Sequence, residues 1–231
     1  MSEFRHEYKY ICSLDKIAYI KNSVDAIMDL DAHVNEDGEY AVRSVYFDDY
    51  NDTCYYDNMY GTDPREKFRI RIYNADSSKI SLELKQKQKS KTKKLSCVLT
   101  KELCEEIING GIPNMNALDS ALYRKFVLQL QTRRLQPKII VEYDRIPYIY
   151  NDGNVRVTFD KNIRSSTQCE DFLQKELFYR PIMETNIHLM EVKFDEFLPD
   201  FIQQLVEHEG VKQSSFSKYF LCRKYSLGGI V

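Results

Sequence analysis

The stretch Lys67-Phe68-Arg69-Ile70-Arg71-Ile72-Tyr73 alternates between basic and apolar side chains over its first six residues. Successive side chains of a β-strand point to opposite faces of its sheet, so one face of this strand carries three cations. For a single strand, a charged face is usually the face that contacts solvent. The fold therefore depends on whether the neighbouring strands repeat the pattern.

Several other segments also place charged residues on one face and apolar residues on the other. The charged faces are formed by Glu83, Lys85 and Lys87; by Tyr143 and Arg145; by Arg156, Thr158 and Asp160; and by Glu191, Lys193 and Asp195. Amphipathic helices are predicted near residues 15–30, 100–109, 116–130, 199–208 and 217–225. If these helices cover the apolar faces, the strands form a barrel whose charged faces point into its lumen.

Composition restricts the class of protein. The chain has 231 residues and no evident internal boundary, which predicts a single domain over residues 1–231. Its net charge is only −2, so a nucleic-acid-binding barrel is disfavoured and any anion site must arise from local clustering of cations. The cysteines and histidines lack zinc-site spacing, and no signal peptide or membrane-spanning run is evident. We therefore expect free thiols and a cytoplasmic location.

Cations that share a lumen repel one another. Two unit charges about 6 Å apart cost roughly 3 kcal/mol at an effective dielectric constant near 20. A bound polyanion would relieve that repulsion, and arginine is well shaped to bind phosphate. Carboxylates among the cations are suitable ligands for Mg²⁺ or Mn²⁺. Because the phosphate-binding loops GxxxxGK[ST] and GxGxxG are missing, any use of ATP must take another route.

Eight segments together resemble the VTC (vacuolar transporter chaperone) domain family. They are RHEYKY at 5–10, SVYFD at 44–48, KFRIRIY at 67–73, LELK at 82–85, VEYDR at 141–145, VRVTFD at 155–160, EVKF at 191–194 and FSKY at 216–219. Each segment alone is weak, but the ordered set covers nearly the whole chain. The resemblance implies an α+β, mainly β fold: an eight-stranded antiparallel closed barrel, the triphosphate tunnel, with surrounding helices.

The resemblance also implies an activity. Active VTC domains are polyphosphate polymerases, which transfer the γ-phosphate of ATP to a growing polyphosphate chain with Mn²⁺ or Mg²⁺. By position, Arg69, Arg71, Arg145 and Arg156 would be the catalytic phosphate grip. Substrate contacts would come from Lys9, Lys85, Lys94, Tyr143, Ser217 and Lys218. The metal ligand would be Glu191, with Glu7 or Glu83 as further ligands.

Several alternatives stay open at the level of sequence. Lys93 could replace Lys94, because the strand register after the hairpin is unclear. Arg5 stands where the wider tunnel superfamily has its first acidic residue, which weakens the case for a two-metal triphosphatase. An inorganic or nucleoside triphosphatase and a non-catalytic polyphosphate-binding protein nevertheless remain alternatives. No regulatory or transmembrane segment is evident, while an interaction with a membrane protein stays open.

Overall fold

The computed structural model describes residues 4–207 and 211–228. Within these ranges the chain forms ten strands and six α-helices. The strands are β1 (His6–Ser13), β2 (Asp29–Leu30), β3 (Tyr40–Asp48), β4 (Arg65–Tyr73), β5 (Asp76–Gln88), β6 (Lys91–Leu99), β7 (Gln136–Tyr150), β8 (Val155–Ser166), β9 (Arg180–Pro181) and β10 (Ile187–Phe194). The helices are α1 (Leu14–Asp25), α2 (Thr53–Met59), α3 (Lys101–Ile108), α4 (Ala121–Thr132), α5 (Asp200–Val206) and α6 (Lys218–Ser226).

Eight strands follow one another in a single antiparallel sheet, in the order β1-β10-β8-β7-β3-β4-β5-β6. The two-residue strands β2 and β9 add to β7 and β8. The register places Arg69 opposite Glu83, Tyr40 opposite Arg145, and Lys9 opposite Glu191. Directly opposed residues point to the same face of the sheet, so side chains distant in sequence share its concave face.

The sheet is curled into a half-barrel and is not the closed barrel that the sequence predicts. Its outermost strands, β1 and β6, are joined only by an isolated bridge between Arg5 and Thr92. The backbone amide of each of these residues donates to the carbonyl of the other at 2.8 Å. Beyond that pair, the described residues form no ladder between the two strands.

The helices cover the convex face at two places. One core joins Phe68, Ile70 and Leu82 to Tyr123 and Phe126 of α4. A second core joins strands β8 and β10 to helices α1 and α5. The apolar half of each alternating strand is therefore buried on the outside of the curl, as the sequence pattern predicts. The charged half is left to line the concave side.

Helices α2 and α6 pack against the concave side instead. Tyr219 and Cys222 of α6 form a third core with Val42, Tyr46 and other residues of the inner face. The chain ahead of α6 bridges to β1, where the Ser214 amide donates to the Lys9 carbonyl at 2.8 Å. Part of the inner space is thus filled with apolar side chains, and the remainder forms an elongated cavity.

Most predicted elements are confirmed, with changes at their ends. The first helix ends at Asp25 and does not continue to residue 30, because the chain turns there into β2. Helix α4 begins five residues later than predicted, where the Ser120 hydroxyl caps the Tyr123 amide. The end predicted for the helix at 199–208 lies partly outside the described residues. No helix in the described ranges is long and apolar enough to cross a bilayer.

Candidate functional site

A cavity of about 1150 Å³ lies along the concave face of the sheet. Strands β1, β4, β5, β7 and β10 form its wall, and residues 58–61 and 213–220 form its other side. The lining includes ten cationic side chains: Lys9, Arg65, Lys67, Arg69, Arg71, Lys85, Lys87, Arg145, Lys193 and Lys218. It includes only three carboxylates: Glu7, Asp63 and Glu191. The cavity is therefore strongly cationic, although the whole chain is nearly neutral.

Two of the predicted arginines meet at Glu83. The Arg69 guanidinium contacts the Glu83 carboxylate at 2.6 Å, and Arg71 lies 3.7 Å from it. The Lys94 ammonium donates to the same carboxylate at 2.9 Å from the adjacent strand. Burial alone would raise the pKa of Glu83, but these cations lower it far below its ordinary value. Glu83 therefore orients the arginines and is already saturated with partners.

A second cluster surrounds Glu191, deeper in the sheet. Arg145 donates to both oxygens of Asp160, at 2.6 and 2.7 Å. Lys218, the first residue of α6, lies 2.5 Å from Asp160 and 2.8 Å from Glu191. The Tyr143 ring lies under the Lys218 ammonium, 4.6 Å from it. Asp160 is fully buried and does not line the cavity, so it fixes from behind Arg145 and Lys218, which do.

The third cluster is centred on Glu7. Lys85 donates to both of its oxygens, at 2.8 and 2.7 Å. Lys193 connects this cluster to the second one, at 3.5 Å from Glu7 and 3.0 Å from Glu191. Lys9 lies 3.6 Å from Glu7 and donates to the Phe216 carbonyl at 2.8 Å. Burial opposes ionisation of Glu7, but Lys85, Lys9 and Lys193 hold its pKa well below the ordinary range.

Toward one end of the cavity the cations have few anionic partners. Arg65 is paired directly with Lys87 across the β4–β5 ladder, and Lys67 with Lys85. Like charges placed opposite each other destabilise a sheet. Lys67 donates to Asn58 and to the Ser217 hydroxyl, at 3.1 and 3.2 Å. Among described residues, no carboxylate lies within ion-pair distance of Arg65, Lys67 or Lys87. A ligand with negative oxygens would relieve this repulsion.

The structure brings most of the predicted site residues together, but Arg156 and Lys94 do not line the cavity. Arg156 lies on the strand next to Lys193, but its guanidinium bonds to Asp31 and to the Tyr40 hydroxyl and does not line the cavity. Lys94 is half exposed and reaches inward only to Glu83. Ser217 caps α6 by accepting from the Phe220 amide and also accepts from Lys67, while its contact with substrate stays a prediction.

The predicted metal ligands separate into two places. Glu7 and Glu191 share Lys193, whereas Glu83 belongs to the arginine cluster. The described residues contain no group of three or more His, Cys, Asp or Glu side chains that could hold a metal by themselves. Beside Glu191, however, the buried Thr158 hydroxyl has no described hydrogen-bond partner, and the two residues are directly opposed. Because Mg²⁺ usually takes one or two carboxylates plus substrate phosphates, Glu191 and Glu7 fit such a cation.

Several residues that the structure places in the site have no role predicted from the sequence, among them Lys67, Asp160 and Lys193. Lys67, Asp160 and Lys193 stand at alternate positions with Arg69, Arg156 and Glu191, so the period-two pattern already put them on the charged face. Their partners could not be read from the pattern. Residues 213–215, which also line the cavity, carry no sequence signal.

Replacing Lys67 with methionine is expected to raise the melting temperature by a few degrees near neutral pH. Burial lowers the pKa of Lys67 from 10.5 to about 7, and Arg65 and Lys9 act in the same direction. Between pH 7 and pH 10.5 this lysine is protonated in the unfolded chain but mostly neutral in the folded one. The free energy of unfolding therefore rises with pH over this range, and the destabilisation caused by the buried charge is lost. Thermal melts of both proteins from pH 6 upward measure the difference.

The gap in melting temperature between Lys67→Met and the wild type should be widest below pH 7 and should narrow toward pH 10. Lys101→Met, on the exposed surface of α3, serves as the matched control and should show little pH-dependent gap. A gap that stays constant over the whole range would contradict a depressed pKa at Lys67.

Comparison with known proteins agrees with this fold. The chain is similar to a candidate adenylate cyclase from Bacillus halodurans, with a TM-score of 0.55, 14% identity, and coverage of 94% of this chain and 95% of that one. It is also similar to a candidate adenylyl cyclase from Hippeastrum, described as having a dominant triphosphatase activity, with a TM-score of 0.58, 12% identity, and coverage of 100% and 98%. Curated protein sequences give no match.

The chain therefore shares its overall fold with these two structures. The family model for the VTC domain matches residues 4–227. The chain therefore belongs to the VTC domain family.

Proposed function

We propose that this protein is a metal-dependent polyphosphate polymerase, which transfers the γ-phosphate of ATP to a growing polyphosphate chain in the cavity. The observation that carries the proposal is the excess of cations at the cavity: ten line it, against three carboxylates on the lining and two buried ones behind it, Glu83 and Asp160. Such an excess is costly inside a protein unless a polyanion neutralises it. Membership of the VTC domain family supports the same substrate class.

The arginines are suited to hold the terminal phosphates. Arg69, Arg71 and Arg145 are each held by a buried carboxylate or hydroxyl, so their guanidinium planes are fixed before substrate binds. Preorganised donors stabilise developing charge without having to reorganise during the reaction. Lys9, Lys85 and Lys218 extend the cationic lining beyond these arginines and would contact the acceptor chain.

In the proposed reaction, a terminal oxygen of the acceptor polyphosphate attacks the γ-phosphorus of ATP. A new P–O bond forms to the acceptor, the bond between the γ-phosphorus and the β–γ bridging oxygen breaks, and ADP leaves. The attacking oxygen is already ionised near neutral pH, so no side chain needs to act as a general base. The protein contributes alignment and charge neutralisation, as in other phosphoryl transfers.

Glu191, with Glu7, would hold the divalent metal that the family uses. The metal held by these two residues would supply positive charge that neutralises part of the charge on the substrate phosphates. Lys193 and Lys218 contact the oxygens of Glu191 and line the same cavity, where they would contact the substrate phosphates. We propose that this metal is Mn²⁺ or Mg²⁺.

Incubation with ATP and Mn²⁺ tests the proposal. Equal amounts of ADP and of new phosphoanhydride bonds, seen as long chains on a gel, are the expected products. Arg71→Gln is expected to lose at least about a hundredfold in turnover, while Arg124→Gln, on the exposed face of α4, retains it. Absence of chain product with every divalent metal would contradict the proposal.

Triphosphate hydrolysis is the second candidate, supported by the triphosphatase activity of the Hippeastrum neighbour. In that case water replaces the acceptor chain, and the same residues grip the substrate. Release of inorganic phosphate from tripolyphosphate without chain growth would favour hydrolysis. Tight binding without any turnover would instead favour a polyphosphate-binding protein.

A further inference from the structure

The rim of the cavity carries an aromatic ring that the phosphate site does not require. Residues 58–61, at the end of α2, line the cavity beside its cationic end. Within that segment, Tyr60 is 75% exposed, although its ring is part of the cavity lining. A large aromatic side chain left open on a cavity wall is available to a ligand.

Tyr60 is the last ring in a column that is anchored in the fold. Its ring stacks on Tyr56, with centroids 6.0 Å apart and planes 16° apart. Tyr56 meets buried Tyr55 edge to face at 5.2 Å, and Tyr55 stacks on Phe220 of α6 at 4.9 Å. The column thus connects the exposed ring to the helix that also supplies Lys218. Tyr60 is supported from behind, while its outer face remains free for contact.

The position of the ring relative to the cations fits the shape of a nucleotide. Asn58, two residues before Tyr60, accepts a hydrogen bond from Lys67. From Lys67 the inner face of β4 continues to Arg69 and Arg71, in steps of about 6.6 Å. A molecule that reaches from the rim inward therefore meets one aromatic ring first and a row of cations afterwards.

We propose that Tyr60 stacks on the nucleobase of a nucleoside triphosphate, with Lys67 nearest the α-phosphate and the arginines holding the β- and γ-phosphates. This inference rests on the proposed function, since it specifies which end of the substrate lies at the rim. Stacking uses the face of the base and tolerates different bases. The ring therefore favours nucleoside triphosphates over inorganic triphosphate and does not select strongly among bases.

Dissociation constants for ATP and for tripolyphosphate test the inference, measured by calorimetry at fixed salt and Mn²⁺. Tyr60→Ala is expected to weaken ATP binding about tenfold and to leave tripolyphosphate binding unchanged. Tyr60→Phe keeps the ring and should bind ATP as the wild type does. Tyr50→Ala is the matched control, because Tyr50 is 88% exposed but lies outside the cavity lining.

The outcomes separate this inference from the proposed function. If Tyr60→Ala binds ATP as tightly as the wild type does, Tyr60 does not stack on the nucleobase. The same conclusion follows if the substitution weakens binding of ATP and of tripolyphosphate equally. Neither outcome would contradict the phosphate site. Failure of the wild type to bind either ligand would overturn the proposed function as well. Melting temperatures of all variants confirm folding, and an exposed residue such as Tyr60 should tolerate replacement.

Discussion

Glu191→Gln is expected to reduce polyphosphate synthesis by at least about a hundredfold, while binding of tripolyphosphate without metal is kept or strengthened. Burial opposes ionisation of Glu191, but Lys193 and Lys218 hold its pKa well below the ordinary range, so it is fully charged at neutral pH. Glutamine removes that charge and frees both lysines for phosphate. Turnover with varied Mn²⁺, and calorimetry with a chelator, measure the two effects separately.

Glu83→Gln is the matched comparison, because Glu83 is equally buried but is held by Arg69, Arg71 and Lys94. Its loss should lower the melting temperature and the affinity for phosphate, with little change in the Mn²⁺ concentration needed for half-maximal rate. If the two variants show the same metal dependence, the assignment of Glu191 as the metal ligand is wrong.

Asp160→Asn is expected to destabilise the fold by about 3 kcal/mol or more, and tripolyphosphate should recover much of that loss. Asp160 is fully buried and holds Arg145 and Lys218 together, so its neutralisation leaves two buried cations without their main partner. A bound polyanion offers those cations new negative oxygens. Chemical denaturation with and without tripolyphosphate measures the effect.

The ligand should therefore stabilise Asp160→Asn by more than it stabilises the wild type. Asp119→Asn, at an exposed site where Asp119 pairs with Arg124, is the control and should behave like the wild type. An equal ligand-induced gain in the variant and the wild type would show that Arg145 and Lys218 do not reach the ligand.

The alternation of side chains made the inner face of the site predictable. A shift of register by one residue would reverse every side chain, so Lys67, Arg69 and Arg71 had to share a face once β4 was a strand. The same logic placed Arg145 and Glu191. Family resemblance predicts which of these cations form the phosphate grip, and the structure places most of them on one cavity.

The partners of these residues could not be predicted, because they come from loops and from distant strands. Arg156 donates a hydrogen bond to Asp31 and does not line the cavity. Asp31 follows the two-residue strand β2, which the sequence pattern predicts to be part of a helix. Glu83 is saturated by three cations on two strands, a fact that depends on register. Whether the sheet closes into a barrel could not be predicted from the sequence either, because closure depends on whether β1 and β6 pair beyond Arg5 and Thr92.

The order of strands has a consequence for protein synthesis. Among the described residues, β1 forms a ladder only with β10, so Lys9 meets Glu191 only after the chain has been translated through β10. Contacts between such distant segments form late and slow folding. Strands β4 and β5 leave the ribosome with their lysines and arginines well before Glu191 and α6 are made. The nascent polypeptide is therefore exposed for that interval to capture by any polyanion in its surroundings.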